Sequence, residues 1–255
     1  MTCGPDRARV ALFTKMASNP IQPDPCDRIS GVQVTVLDHG FVALDEVMGD
    51  DRTPARCART SFGNGGAARS PEQDARLTDY LIRNHHNTPL EFVQLRWYMK
   101  LPIFVARQLI RHRTASVNEI SYRYVKANRE FYVPALDRMN RKSESNKQGS
   151  SVELVGNPEI CHDHMSRAGE CAFDTYEILL HEGLAPELAR TVLPVSTYTE
   201  WYWQNDMHNT LHMLGLRLDS HAQYEIRVYA EAMLAIMRER FPTIITSWEA
   251  HRAAR

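Results

Sequence analysis

The sequence predicts an α/β (α+β) chain with one main domain, on three observations. Apolar–polar alternation and helix-start signals are interspersed along the chain rather than segregated. No internal repeat divides it. Of 255 residues, 43% are hydrophobic and 24% charged, the ordinary globular range and enough to bury a substantial core. No apolar run reaches the roughly 18 residues of a membrane-spanning helix, so none is expected. Met1 to Ser18 offers no apolar stretch or small-residue cleavage site, so no secretory signal is expected. Cys3, Cys26, Cys57, Cys161 and Cys171 are scattered and form no C-x-x-C pair, which fits a reduced, cytoplasmic protein.

The elements follow in order. Residues 1–30, with four prolines and no period, read as a flexible N-terminal arm, and 31–255 as the domain. Val32, Val34 and Val36 alternate with polar residues, as in a half-buried strand. Ser70 as N-cap and Pro71 as first helical residue start a helix to about His86. Thr88-Pro89-Leu90-Glu91 repeats that logic as a capping box. From Phe92 to Leu101 a strand is expected, with Val93, Leu95, Trp97, Met99 and Leu101 on one face. Pro102 then seeds a helix that ends in Arg111-His112-Arg113, with Arg107 and Arg111 four apart on one face.

Residues 140–160 are polar and turn-rich and read as a flexible insertion. A helix from about His164 to His181 stops at Gly183, and a short one runs from Pro186 to Val192. Thr197 to Trp203 favours a strand, and Asp206 caps a helix through Leu216. Ser220-His221-Ala222-Gln223 reads as a capping box opening a long helix that ends before Pro242.

Charge is balanced overall, 30 basic against 31 acidic residues, which argues against binding to nucleic-acid polymers or membranes. Locally it is not. Arg107, Arg111, Arg113, Arg123, Lys126 and Arg129 face only Glu119 between positions 107 and 129. Within it, residues 111–124 hold three arginines and a histidine beside a carboxylate, an amide and several hydroxyls. Arginine forks grip phosphate, loop N–H groups complete an anion nest, Asn and Glu pair with base edges, and Tyr stacks. That inventory suits a nucleotide, without saying which one.

The same stretch, Arg111-His112-Arg113, seven residues, then Ser121, resembles the signature of flavin-dependent thymidylate synthases. Five further segments agree in order and spacing: 58–62, 86–91, 102–108, 189–194 and 216–223. Together they cover about residues 31–249.

The resemblance implies a central mixed or antiparallel sheet flanked by helices, and a homotetramer with active sites shared between subunits. It implies that dUMP is methylated to dTMP, with methylenetetrahydrofolate as one-carbon donor and NADPH as reductant through bound FAD. The implied dUMP residues are Gln108, Leu109, Ile110, Arg111, Glu119, Ile120, Ser121, Tyr122, Arg123, Arg190 and Arg217, with Arg217 catalytic. The implied FAD residues are Ser61, Thr88, Glu91, Arg111, His112, Arg113, Glu119, Asp206, Met207, His208, His212 and His221. His86 is implied near the flavin, where the folate pterin stacks.

Chemistry supports several of these roles. Arg123, Arg190 and Ser121 suit a phosphate dianion. A cation such as Arg217 at the uracil edge would stabilise negative charge on the ring and make C5 nucleophilic, with no cysteine needed. Ser121 as a nucleophile lacks an assignable His-Asp partner. Phe92 and His208 depart from the family pattern, which often carries His and sometimes Arg there. No G-x-G-x-x-G is present, so a Rossmann-type flavin site is not expected.

Two other classes are consistent with parts of the sequence: a non-catalytic nucleotide- or RNA-binding module using the basic segment, and a metal-dependent hydrolase. The His208/His212 pair has metal-ligand spacing, and His162 and His164 flank Asp163. No third ligand accompanies either pair in sequence, so no metal site is expected.

Overall fold

A computed structural model describes residues 32–63, 69–144 and 149–252. The expected arm at 1–30, with Cys3 and Cys26, lies outside the described residues. Five strands form one sheet: β1 (Gln33–Val36), β2 (Gly40–Met48), β3 (Gln94–Pro102), β4 (Ser116–Glu119) and, beyond a hairpin of β5 (Asn140–Lys142) and β6 (Ser150–Leu154), β7 (Tyr198–Asp206). Their order is β1-β2-β3-β7-β4, and every neighbouring pair is antiparallel.

The register of the two central strands sets the core. Trp97 lies opposite Trp203 and Met99 opposite Trp201. With period-two alternation, these side chains share a face with Leu95 and Leu101, and all six are at most 1% exposed. At about 1.5–3 kcal/mol for each large apolar side chain buried, a one-residue slip that turned this set to water could not compete.

Helices cover that face. The chain adds α1 (Thr53–Arg59), α2 (Pro71–Arg83), α3 (Ile103–Leu109), α4 (Pro158–His181), α5 (Pro186–Ala189), α6 (Met207–Arg217), α7 (Tyr224–Arg240) and α8 (Pro242–Arg252). Leu109, Met207, Leu211, Met213, Leu214, Tyr229, Met233, Met237 and Ile244 join the tryptophans in one core. Docking of α7 explains Gly40. The Tyr229 hydroxyl donates to the Lys100 carbonyl at 2.8 Å, and a Cβ on Gly40 would lie 2.0 Å from that hydroxyl. A second, smaller core of Ala127, Phe173, Tyr176 and Ala189 ties α4 and α5 to the loop after β4.

Several boundaries agree with the sequence. Ser70 accepts from the Gln73 N–H, and the Gln73 side chain accepts from the Ser70 N–H, a complete capping box. Asp206 caps α6 through the Asn209 N–H at 2.8 Å. Gly183 ends α4 at φ +82°, which glycine adopts without strain.

Others are corrected. Thr88 is not a cap: Asn87 precedes a 3₁₀ turn, Thr88–Phe92, without a side-chain cap bond. Ser220 is not a cap either, since α7 begins only after Gln223. The helix after Pro102 ends at Leu109, so Arg111 sits in the following turn rather than above Arg107 on a helix face. Much of 140–160 is regular, with β5 paired to β6 and α4 starting at Pro158.

Four elements went unforeseen: β2, α1, β4 and α8. The first five residues of β2 are all buried, so they show no alternation. Pro242, expected to terminate helical structure, begins α8. Its cap is a distant carboxylate, for Asp51 accepts from the Thr243 and Ile244 N–H groups at 2.8 and 2.9 Å. No described helix is long and apolar enough to cross a membrane.

Candidate nucleotide and cofactor site

The short helix α3 organises the site. Pro102 ends β3 in extended geometry (ψ 143°) and turns the chain into α3. Val105, Ala106 and Leu109 anchor it in the core. Ile103, Ala106, Arg107 and Ile110, spaced i, i+3, i+4, i+7, share one flank. They line a cleft of about 470 Å³ with Glu119, Ile120, Tyr122, Trp201 and Arg190. Glu119 is fixed by the Thr199 hydroxyl at 2.6 Å, and Tyr122 donates to the Tyr198 carbonyl. Burial, aided by Glu200 and Glu119, pushes the Tyr122 phenol far above its ordinary value, so it stays protonated.

A second cleft, of about 570 Å³, holds Gln108, Arg217, His221 and Gln223. Arg217 donates through Nε to His112 Nε2 at 3.0 Å and through Nη2 to the Gln108 backbone carbonyl at 3.4 Å. Arginine has no acceptor, so Nε2 of His112 must be the acceptor and the proton must sit on Nδ1. Burial, then the charge of Arg217 and the neighbouring His212, hold the His112 pKa down to about 4. At neutral pH the imidazole is uncharged and orients Arg217 without neutralising it. The His112 and His212 rings meet edge to face at 6.3 Å.

Arg111, His112, Arg113 and Thr114 line a third cleft of about 400 Å³ with Asn205, Asn209 and His212. Beyond it, a groove of about 500 Å³ takes in His208 and His212 with His85, Trp248 and His251. Asn205 is 4% exposed, and its Nδ2 has no hydrogen-bond partner among the described residues.

The expected residues are thus partly gathered. Glu119, Ile120, Tyr122 and Arg190 meet in the first cleft; Gln108, Arg217 and His221 in the second; Arg111, His112, Arg113 and His212 in the third. Ile110 joins the first. Leu109 and Met207 point into the core, 1% and 0% exposed. Both Asp206 oxygens are taken by Asn209, leaving His208 as the groove-facing member of that stretch. Ser61, His86, Thr88 and Glu91 are exposed and line none of these clefts. Arg123 packs over Tyr124 and donates to Ser121 at 3.2 Å. Within one chain, Arg190 and Arg217 therefore lie on different flanks of α3, and Arg123 lines neither cleft. Trp201, Asn205, Trp248 and His251 were not foreseen as site residues. The first reads as core, and the last two lie near the end of the matched segments.

On the two flanks of α3 and beside the end of β7, arginine and histidine side chains line separate clefts, and anions would be held by side chains rather than a glycine-rich loop. On an α/β scaffold, such linings have the chemistry to hold anionic, nucleotide-type ligands. Residues 43–243 match the family described as thymidylate synthase complementing protein. The chain is 47% identical over 222 residues to the flavin-dependent thymidylate synthase of Gluconobacter oxydans, covering 85% of this chain and 72% of that one. To the one of Thermus thermophilus it is 45% identical over 218 residues, covering 86% and 78%. Among solved structures, the UMP/dUMP methylase PolB from Streptomyces cacaoi bound with 5-Br dUMP superposes with a TM-score of 0.77 at 30% identity, covering 86% of this chain and 99% of that one. This chain belongs to the flavin-dependent thymidylate synthase family.

Proposed function

We propose that the protein converts dUMP to dTMP, taking the one-carbon unit from methylenetetrahydrofolate and the reducing equivalents from NADPH through FAD. The observation that carries this reading is the Arg217–His112 pair: a guanidinium aimed by a neutral imidazole, beside Gln108. Similarity to flavin-dependent thymidylate synthases and to a methylase holding a dUMP analogue supports the substrate class.

Each role rests on residues of this chain. Arg190, with Arg123 and Ser121, suits the 5′-phosphate. Arg217 stabilises negative charge developing on the uracil ring, so that C5 attacks the one-carbon unit and later loses its hydrogen as a proton. Tyr122 and Glu119 are fixed in the lining of the first cleft by their bonds to Tyr198 and Thr199. Arg111 and Arg113 suit the cofactor's pyrophosphate, and the unsatisfied Nδ2 of Asn205 is a buried donor beside them, so this side-chain set fits a flavin dinucleotide. When bound and reduced by NADPH, FAD would supply the hydride that takes the transferred carbon to a methyl group. No cysteine is needed; Cys57, Cys161 and Cys171 line none of the three clefts.

Because Arg190 and Arg217 open on different flanks of α3, a complete site would draw on more than one subunit, and a homotetramer with shared sites is the assembly proposed. Residues 31–255 are proposed as the working domain, 1–30 as an arm outside it, and the cytoplasm as its compartment. Family membership favours this flavoenzyme over a binding module or a metal hydrolase.

The purified protein is expected to be yellow, with a flavin spectrum that bleaches when NADPH is added without oxygen. A colourless protein that also fails to take up added FAD would contradict the proposal.

A further inference from the structure

Glu225 is a buried carboxylate that the proposed reaction leaves without a part. It is 6% exposed in the first turn of α7, where the helix terminus favours an anion. One oxygen accepts from the buried Tyr132 hydroxyl at 3.1 Å, and the other accepts from Gln223 Nε2 at 2.8 Å. Gln223 Oε1 in turn accepts from Gln108 Nε2 at 2.6 Å. The row runs from the core to the Arg217 cleft, which Gln108 and Gln223 both line.

A side-chain amide can ordinarily be turned either way, since its nitrogen and oxygen ends are similar in shape. Here the row has a polarity. A carboxylate only accepts, so Gln223 must turn its NH₂ toward Glu225 and its oxygen toward Gln108. Gln108 must then give its NH₂ to Gln223. Its own Oε1 is left as an acceptor at the cleft end. The Gln108 backbone carbonyl is occupied separately, by Arg217.

We propose that Gln223 and Glu225 are positioning residues that turn the Gln108 side-chain carbonyl toward the bound pyrimidine nucleotide, where it accepts from an N–H or O–H of that nucleotide. The inference rests on the dUMP reading above. Glu225 touches no ligand; it acts two hydrogen bonds away, by deciding which end of Gln108 faces the substrate.

Glu225→Gln tests it with minimal change of shape, because a glutamine can donate or accept and the polarity is lost. In the FAD-loaded enzyme, the dUMP dissociation constant, read from the flavin absorbance change, is expected to rise about three- to tenfold, as for one neutral hydrogen bond. FAD affinity is expected to stay within about twofold, since neither Gln108 nor Gln223 lines the cleft of Arg111 and Arg113. Gln223→Leu breaks the row at its middle link, leaves Glu225 charged, and is expected to raise the same constant equally; it decides the matter if the first variant folds poorly. In a Gln108→Ala background, Glu225→Gln is expected to add nothing. Unchanged dUMP affinity in both single variants would overturn the inference. So would an equal loss with and without Gln108, which would mean a general structural effect. A wild-type enzyme that takes up FAD but binds no dUMP would overturn the functional reading, and this inference with it.

Discussion

Arg217→Ala is expected to lower the rate of dTMP formation by about 10²–10³-fold while FAD stays bound, by analogy with loss of a preorganised donor to a developing anion. The argument starts from the local geometry. Arg217 closes the last turn of α6 and is half-buried, and burial lowers its pKa, though a guanidinium remains charged. Its Nε is committed to His112 and one Nη to the Gln108 carbonyl, which leaves the rest of the fork for a ligand. A charge held this way needs no reorganisation when the uracil ring becomes negative. Arg217→Lys keeps the charge but loses the fork, so it is expected to recover only part of the lost rate. Steady-state turnover with the flavin content measured in parallel checks this. An alanine variant that holds FAD and turns over at the wild-type rate would remove Arg217 from catalysis.

Arg190→Ala is expected to raise the KM for dUMP by about 10–100-fold with a much smaller change in kcat. A charge-assisted hydrogen bond is worth about 1.5–3 kcal/mol, and a phosphate remote from C5 is held equally in ground and transition states. Arg190 follows α5 directly, opening the 3₁₀ turn Arg190–Val192, and α5 is pinned by Ala189 against Phe173 and Tyr176. The guanidinium is therefore exposed on a rigid support, facing Arg107 and Tyr122 across the first cleft. Deoxyuridine, which lacks the phosphate, is expected to show little difference between the variant and wild type. A variant with unchanged KM for dUMP would remove Arg190 from the phosphate site.

The sequence made much of this architecture legible, and the misses have physical causes. Val93 to Leu101 alternates because one face of β3 packs on helices and the other does not; Val93, just before β3, and Leu95, Trp97, Met99 and Leu101 within it are all fully buried. The front of β2 is buried on both faces, so the period-two signal vanishes there. Helix α8 was hidden because its capping carboxylate, Asp51, is nearly two hundred residues away in the chain. Thr88 and Ser220 sit at sequences that look like caps, but the helical hydrogen bonds begin elsewhere. Within the site, the two arginines and the histidine of 111–113 stood out by charge and spacing. The role of His112 as the acceptor that aims Arg217 did not, because it joins residues 105 positions apart. The row from Gln108 to Glu225 is long-range for the same reason. Local pattern exposes what local bonds fix; contacts made by folding back remain silent until the fold is known.

Release of tritium from dUMP labelled at C5 tests the central claim most directly. The account predicts release to water in step with dTMP formation when FAD, NADPH and methylenetetrahydrofolate are all present, and loss of that release when FAD is stripped. Tritium release at the same rate from flavin-free protein, or none from the fully supplied enzyme, would contradict it.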